Sequence, residues 1–264
     1  MSYLCTDHTF AVCAYKESEF LEDLLYSLLR QTVKTNIIIA TSTPNDYIYT
    51  MAEKYNLPVF VNEGQKGIGP DWYFAASCAK TPLVTIAHQD DLYEPAYAEK
   101  MIQAFNRAKK PIIAFSHYAE LRNGEKVYQN RLLTIKKYLL IPMKLSQNSI
   151  LLRRTSLSLG NAICCPSVTY VRDILMEHPF DTSFSCSLDW KQWETLSRRK
   201  GAFIYVDEPL MCHRIHAESA TSALIQDSRR AQEDYRMFCC FWPKPIAKLL
   251  AKMYSCGEKS NKLD

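Results

Sequence analysis

Between Thr9 and Ser116 the chain alternates short β-branched or apolar runs with stretches of helical periodicity. Strands separated by helices build parallel sheets through βαβ units, so this alternation leaves few folds open. The strand candidates are TFAVCA (Thr9–Ala14), NIIIA (Asn36–Ala40), PVFV (Pro58–Val61), LVTIA (Leu83–Ala87) and PIIAFS (Pro111–Ser116). The first helix candidate carries Phe20, Leu21, Leu24, Leu25, Leu28 and Leu29 at helical spacing, with Ser18 placed to cap it. A second follows Asn45 and Asp46, a third begins near Pro70 and a fourth near Pro95. The expected fold is α/β, a doubly wound and mostly parallel sheet flanked by helices. In such open sheets ligands bind beyond the carboxyl ends of the strands.

The rest of the chain is less regular up to Cys165, with RNGE (Arg122–Glu125) as a turn, and then gives a helix, a Gly201 stop and a strand at Phe203–Val206. A helical C-terminal tail, broken at Pro243 and Pro245, covers 223–264. At 264 residues the chain is long enough to bury a full core. Its net charge of +4 is too small an excess to suggest a nucleic-acid partner. Ten cysteines contain no CxxC pair, which argues against a structural zinc site and for thiols in a reducing cytoplasm. Met1–Tyr15 does not read as a signal peptide, and no apolar run approaches the ~20 residues that span a bilayer. A cytoplasmic chain is expected, with peripheral attachment at the inner face of a membrane as an open option.

Four groups of residues carry candidate chemistry. His88, Gln89, Asp90 and Asp91 directly follow a strand candidate. The two aspartates either cap the next helix or hold a hard divalent cation, Mg²⁺ or Mn²⁺, completed by a ligand's phosphates. HRIHAESAT places His213 and His216 three apart, either as an ordinary surface loop or as an imidazole that would favour Mn²⁺; Ser219 and Thr221 there are within reach of phosphate oxygens. Asp189 opens a helix beside Trp190, where it either complements the helix dipole or serves as a general base, with Trp190 as a sugar-stacking ring. In the tail, Ile246, Leu249, Leu250 and Met253 share one helical face and Lys244, Lys248 and Lys252 another. Docking onto the domain is the commoner fate of such a helix; the alternative is contact with an anionic membrane through 242–254.

Read in order, these groups resemble glycosyltransferase family 2, the inverting enzymes with a GT-A nucleotide-sugar fold. FAVCAYKESEFLEDLLYSLLRQT is similar to the family's opening strand, turn and first helix, and LVTIAHQDDLYEPAYAEKM to its D-x-D segment. SLDWKQWETLSRR resembles the segment E-D-W-D-L-x-L-R-L, and HRIHAESAT resembles Y-R-x-H-x-x-S-x-T, so the likeness runs from Thr9 to Thr221. It implies a GT-A-like domain over 1–222, with a nucleotide-sugar half (1–118) and an acceptor half (119–222).

The resemblance also implies roles. Ala14, Tyr15 and Glu17 would lie by the nucleotide, Asp90 would bind the metal, and Asp91 would be the neighbouring carboxylate facing the donor. Asp189 matches the general base, His216 the histidine near diphosphate and metal, and Arg214 the arginine before it. The implied partners are a nucleoside-diphosphate sugar of UDP or dTDP type and a glycan or lipid-linked acceptor, in surface polysaccharide or glycolipid assembly. Departures fall on the donor side. His88 replaces the first Asp of D-x-D, Thr41 and Ser42 replace a nucleobase-reading carboxylate, Trp72 and Tyr73 stand in place of a basic residue, and Leu188 replaces a Glu. These departures keep open an inactive nucleotide-sugar-binding or scaffold protein of the same fold. A sugar nucleotidyltransferase is disfavoured, because Cys13–Glu19 contains no glycine for a phosphate loop.

Overall fold

A computed structural model describes residues 2–216 and 228–258. Four of the expected runs form strands within one residue of their anticipated ends: β1 (His8–Ala14), β2 (Asn36–Thr41), β3 (Val59–Val61) and β4 (Leu83–His88). They pair in parallel in the order β3-β2-β1-β4. Beyond β4 the sheet becomes mixed. β8 (Val168–Val171), which the sequence reading missed, runs antiparallel between β4 and the long strand β6 (Pro111–Arg122). β9 (Ala202–Ile215) lies parallel to β6 along its whole length, and two-residue β5 (Leu92–Tyr93) pairs antiparallel with β9 at the far edge. RNGE is a hairpin turn as expected: Asn123 (φ 50°) and Gly124 (φ 84°) take the left-handed conformations of a two-residue turn into β7 (Glu125–Val127). The described residues thus form a nine-stranded, mostly parallel sheet. The 118–119 boundary between the two expected halves falls inside β6, and 222 lies outside the described residues.

The period-two alternation of each strand divides the core into two layers. Phe10, Val12 and Ile39 face α1 (Leu21–Leu29), α2 (Asp46–Lys54) and α4 (Tyr97–Arg107). Ala11, Ile38, Val84 and Ile86 face the other layer, which includes α3 (Ile68–Cys78). Asn45 caps α2 through Ile48 N (2.9 Å). Ser18 does not cap α1: Phe20 takes that position, and the Ser18 carbonyl closes the preceding turn on Leu21 N (3.1 Å). The segment after β7 folds into α5 (Arg131–Leu139), α6 (Ile141–Leu145) and α7 (Ile150–Leu157), and α8 (Arg172–Glu177) follows β8.

α9 (Leu188–Ser197) and the tail helices α10 (Ser228–Cys239) and α11 (Lys244–Glu258) complete the second layer. The tail docks, but not by the stripe anticipated. Ala247, Leu250, Ala251 and Tyr254 of α11 join the core, whereas Ile246, Leu249 and Met253 stay exposed. Among the described residues no helix is long and apolar enough to cross a membrane.

Gly201 ends the link from α9 to β9 at φ 144°, and a Cβ there would run into the Lys110 carbonyl oxygen and lie 2.9 Å from Ile112 Cγ1. Gly201→Ala is expected to cost about 3 kcal/mol, since both the backbone angle and the close approach oppose a side chain. A urea unfolding curve with a lowered midpoint and unchanged slope is the expected result.

Candidate active site

β4 ends at His88, and the chain turns through Gln89 and Asp90 on a bond from Asp91 N to His88 O (3.2 Å). The Gln89 amide fixes this turn to the end of β1, accepting from Tyr15 N (2.8 Å) and donating to Tyr15 O (3.0 Å). The pairing of β5 with β9 then carries Asp91 beside His213 and Arg214. Asp91 is fully buried, and its Oδ1 accepts from His213 Nδ1 (2.9 Å) and Arg214 N (3.0 Å). A carboxylate only accepts, so the proton of that contact sits on His213 Nδ1. Burial opposes a charged His213 ring, but Asp91 outweighs it and holds the pKa above the usual histidine value.

Asp90 is less enclosed, and its Oδ2 accepts from His216 Nε2 (3.1 Å). Burial pushes against its ionised form, yet the His216 bond and the nearby His88 and His213 bring its pKa below the ordinary carboxylate value. Arg214 donates from Nε to Asp90 O (2.8 Å) and from a terminal nitrogen to Asp23 of α1 (3.2 Å), and lies 4.2 Å over the Phe20 ring. Phe20 also meets His216 edge-on at 4.9 Å. The ends of β4 and β9 and the start of α1 therefore converge on Asp90.

His88 is stacked on Trp72 (4.7 Å, 19°), and burial brings its pKa below the usual histidine value despite the nearby Asp91 and Asp90. Its Nε2 and the buried Oδ2 of Asp91 have no hydrogen-bond partner among the described residues. His88, Asp90 and Asp91 each offer one ligand atom, all within 4.8 Å of one another. One nitrogen and two carboxylate oxygens, with orphaned lone pairs among them, form a donor set that fits a divalent cation such as Mn²⁺.

Asp189 lies in the first turn of α9. Its Oδ1 accepts from Trp190 N (2.7 Å) and its Oδ2 from Asn161 Nδ2 (2.7 Å). Burial raises its pKa above the usual carboxylate value despite these bonds, and its charge acts on the His88 ring. The loop leading into α9 is clasped by α10: the buried Glu233 carboxylate accepts from Ser185 N (2.9 Å), Cys186 N (2.7 Å) and Ser187 N (3.0 Å). Glu233→Ala is expected to cost about 3 kcal/mol, because three backbone donors of the loop lose their carboxylate acceptor. Urea unfolding would show it, and Asp189 would lose its register together with the loop.

Other sequence expectations fare unevenly. Trp190 is 1% exposed, donates to Leu157 O (3.0 Å) and meets Phe238 edge-on. Its ring is thus spent in the core and is not presented as an acceptor platform. Thr41 and Ser42 are buried, Thr41 Oγ1 accepting from Thr43 N (3.0 Å) and Ser42 Oγ donating to Asp71 Oδ2 (2.8 Å). Asp71, absent from the expected set, also binds Asn62 (2.8 Å) and Gly67 N (3.2 Å), so a carboxylate from α3 stands beside Ser42. Ala14 is buried at the end of β1, while Tyr15 and Glu17 are exposed beyond it. Ser219 and Thr221 lie outside the described residues.

The mostly parallel sheet flanked by helices is the GT-A fold of known glycosyltransferases. Residues 9–172, more than half of the chain, match the family described as Glycosyl transferase family 2. The chain belongs to that family. No match was found among curated proteins. Three solved structures share the fold at low identity. TarS from S. aureus in complex with UDP is 14% identical (TM-score 0.61), with 96% of this chain and 72% of that one covered. The mannosyltransferase PcManGT from Pyrobaculum calidifontis, with GDP-Man and Mn²⁺, is 12% identical (TM-score 0.64; 98% and 76% covered). Glucosyl-3-phosphoglycerate synthase from Mycobacterium tuberculosis, with UDP, is 14% identical (TM-score 0.60; 89% and 80% covered).

Proposed function

We propose that the protein is an inverting glycosyltransferase that moves a sugar from a nucleoside-diphosphate donor of UDP or dTDP type to a hydroxyl of a glycan or lipid-linked acceptor. The observation that carries this reading is the convergence of His88, Asp90, Asp91 and His216 beyond the end of β4, with Asp189 acting electrostatically on the same cluster. UDP in TarS and in the glucosyl-3-phosphoglycerate synthase, and GDP-Man with Mn²⁺ in PcManGT, support it as properties of proteins with this fold.

Asp90, with His216 and with the unpartnered His88 Nε2 and Asp91 Oδ2 beside it, would hold a Mg²⁺ or Mn²⁺ ion, and a bound divalent cation supplies charge neutralisation for a departing diphosphate. His216 Nε2, which donates to Asp90, would join Asp90 as a ligand to that ion. Asp91 holds His213 and the backbone of Arg214, and Arg214 holds the Asp90 carbonyl, so Asp90 is fixed from two sides. Asp189 removes the acceptor hydroxyl proton as that oxygen attacks the anomeric carbon. The bond from that carbon to the diphosphate oxygen breaks, the nucleoside diphosphate leaves, and the single displacement inverts the centre. An acceptor in surface polysaccharide or glycolipid assembly, met at the inner face of a membrane through 242–254, suits this chemistry.

The test is a thermal-shift screen with UDP-, dTDP-, GDP- and CDP-sugars in the presence of Mn²⁺ or Mg²⁺, followed by assay of nucleoside-diphosphate release. Stabilisation by one donor and metal-dependent release are expected. Binding without release under any acceptor would instead mark an inert binding protein of this fold, and neither binding nor release would overturn the enzyme reading.

A further inference from the structure

The net charge of +4 conceals a segregation along the chain. Lys126–Arg172 and Tyr235–Gly257 hold twelve of the 32 basic residues and none of the 28 acidic ones, so these two stretches carry +12 and the remainder −8. The fold brings the stretches together. Trp242 Nε1 donates to Ser158 O (2.7 Å), the Arg154 guanidinium lies over the Phe241 ring (4.9 Å), and Tyr254 of α11 seats against Gly160 so closely that a Cβ there would lie 2.8 Å from its ring.

The same stretches hold most of the strongly exposed large apolar side chains. Six large apolar side chains among the described residues are at least 60% exposed, and five of them are Tyr138 (67%), Leu145 (74%), Leu151 (75%), Leu249 (60%) and Met253 (63%), the sixth being Leu4 (65%). Exposed apolar residues scattered singly need no explanation, but a concentration within two basic stretches of chain that contain no acidic residue does. Some of the charge is already used, since Lys137 and Lys144 pair with Asp207 and Lys136 donates to Tyr118 Oη (2.8 Å). Lys244, Lys248 and Lys252 of α11 form no ion pair among the described residues.

We infer that α5, α6, α7 and α11 together form a docking surface for an anionic lipid bilayer, with the leucines, Tyr138 and Met253 entering the interface and the α11 lysines meeting the headgroups. This goes beyond attachment through the tail alone, because the two most exposed leucines lie on α6 and α7, about a hundred residues earlier in the chain. The surface borders the proposed acceptor side: Asn161 N donates to Tyr254 Oη (3.4 Å) and the Asn161 side chain holds Asp189. Bilayer binding stands on charge and exposure and does not require the transferase reading. A membrane-bound acceptor does.

Co-sedimentation with vesicles tests it, comparing phosphatidylcholine alone with phosphatidylcholine and phosphatidylglycerol at about 7:3, at low and high salt. Uptake by the anionic vesicles only, weakened by salt, is expected. It should fall about tenfold in Lys248→Glu/Lys252→Glu and again in Leu145→Ser/Leu151→Ser, with unchanged melting temperatures, because all four side chains are on the surface. Equal uptake by neutral vesicles, no uptake by either, or full uptake retained in either variant would overturn the proposal. So would a solution dimer dispersed by Leu145→Ser/Leu151→Ser without vesicle binding, which would make this surface an interface between copies of the chain.

Discussion

Asp189→Asn is expected to lower sugar transfer about a thousandfold while leaving the fold at least as stable as the parent. The first half follows from the proposed role: an amide cannot take the acceptor proton. The second follows from the direction of the pKa shift. Burial holds the Asp189 pKa above the usual carboxylate value, so its protonated form is the one the fold favours. The stabilising contribution of such a group is complete below its unfolded-state pKa and is lost as pH rises through its folded-state pKa. At neutral pH the ionised carboxylate therefore weighs against the fold, and asparagine removes that burden. The hydrogen bonds survive the change. Trp190 N keeps an oxygen acceptor, and Asn161, whose Oδ1 is buried without a partner, can rotate its amide to accept from the new NH₂. The acidic limb of the parent's kcat/KM profile should lie above the ordinary carboxylate range and be missing from the variant's residual rate. Urea unfolding of the two proteins at neutral pH checks the stability half, and a variant that is both inactive and strongly destabilised would assign Asp189 a structural role instead.

Much of the fold was legible because β1 to β4 and the helices between them follow one local rule, alternation of apolar runs with helical spacing. β8 was not, since VTYV is four residues long and owes its place to β4 and β6 on either side. Of the site, Asp90, Asp189, His216 and Arg214 were readable as motif positions, and the structure brings Asp90, His216 and Arg214 into direct contact. Asp91 and His213 were legible as candidates too, but the contact that joins them was not, and Asn161 was not legible at all. His213 and Asp91 are 122 positions apart, and Asn161 meets Asp189 across 28 with no motif around it. Trp190 shows the opposite failure, a role inferred from adjacency. Neighbours on a helix point about 100° apart, so a side chain beside the candidate base turns away from it, and here it turns into the core.

Asp90 and Asp91 are adjacent carboxylates that should fail in different ways when replaced. Asp90 keeps about a fifth of its side chain exposed (22%) and has one side-chain partner, His216. Asp90→Ala therefore leaves unfolding nearly unchanged, while nucleoside-diphosphate release falls about a thousandfold and Mn²⁺ no longer shifts the melting temperature in the presence of donor. Asp91 is fully buried and serves two donors, the His213 ring and the Arg214 backbone. Asp91→Ala leaves both partly buried donors without their acceptor and is expected to cost about 3 kcal/mol, read as an earlier urea midpoint. It also frees the end of β9, which carries His213 and Arg214, so activity falls as a consequence of lost geometry. Asp91→Asn separates the two effects, because its amide oxygen still accepts from His213 or Arg214 and should recover most of the lost stability. If Asp90→Ala proved the destabilised variant and Asp91→Ala the stable one without metal response, the assignment of ligand and support would be reversed.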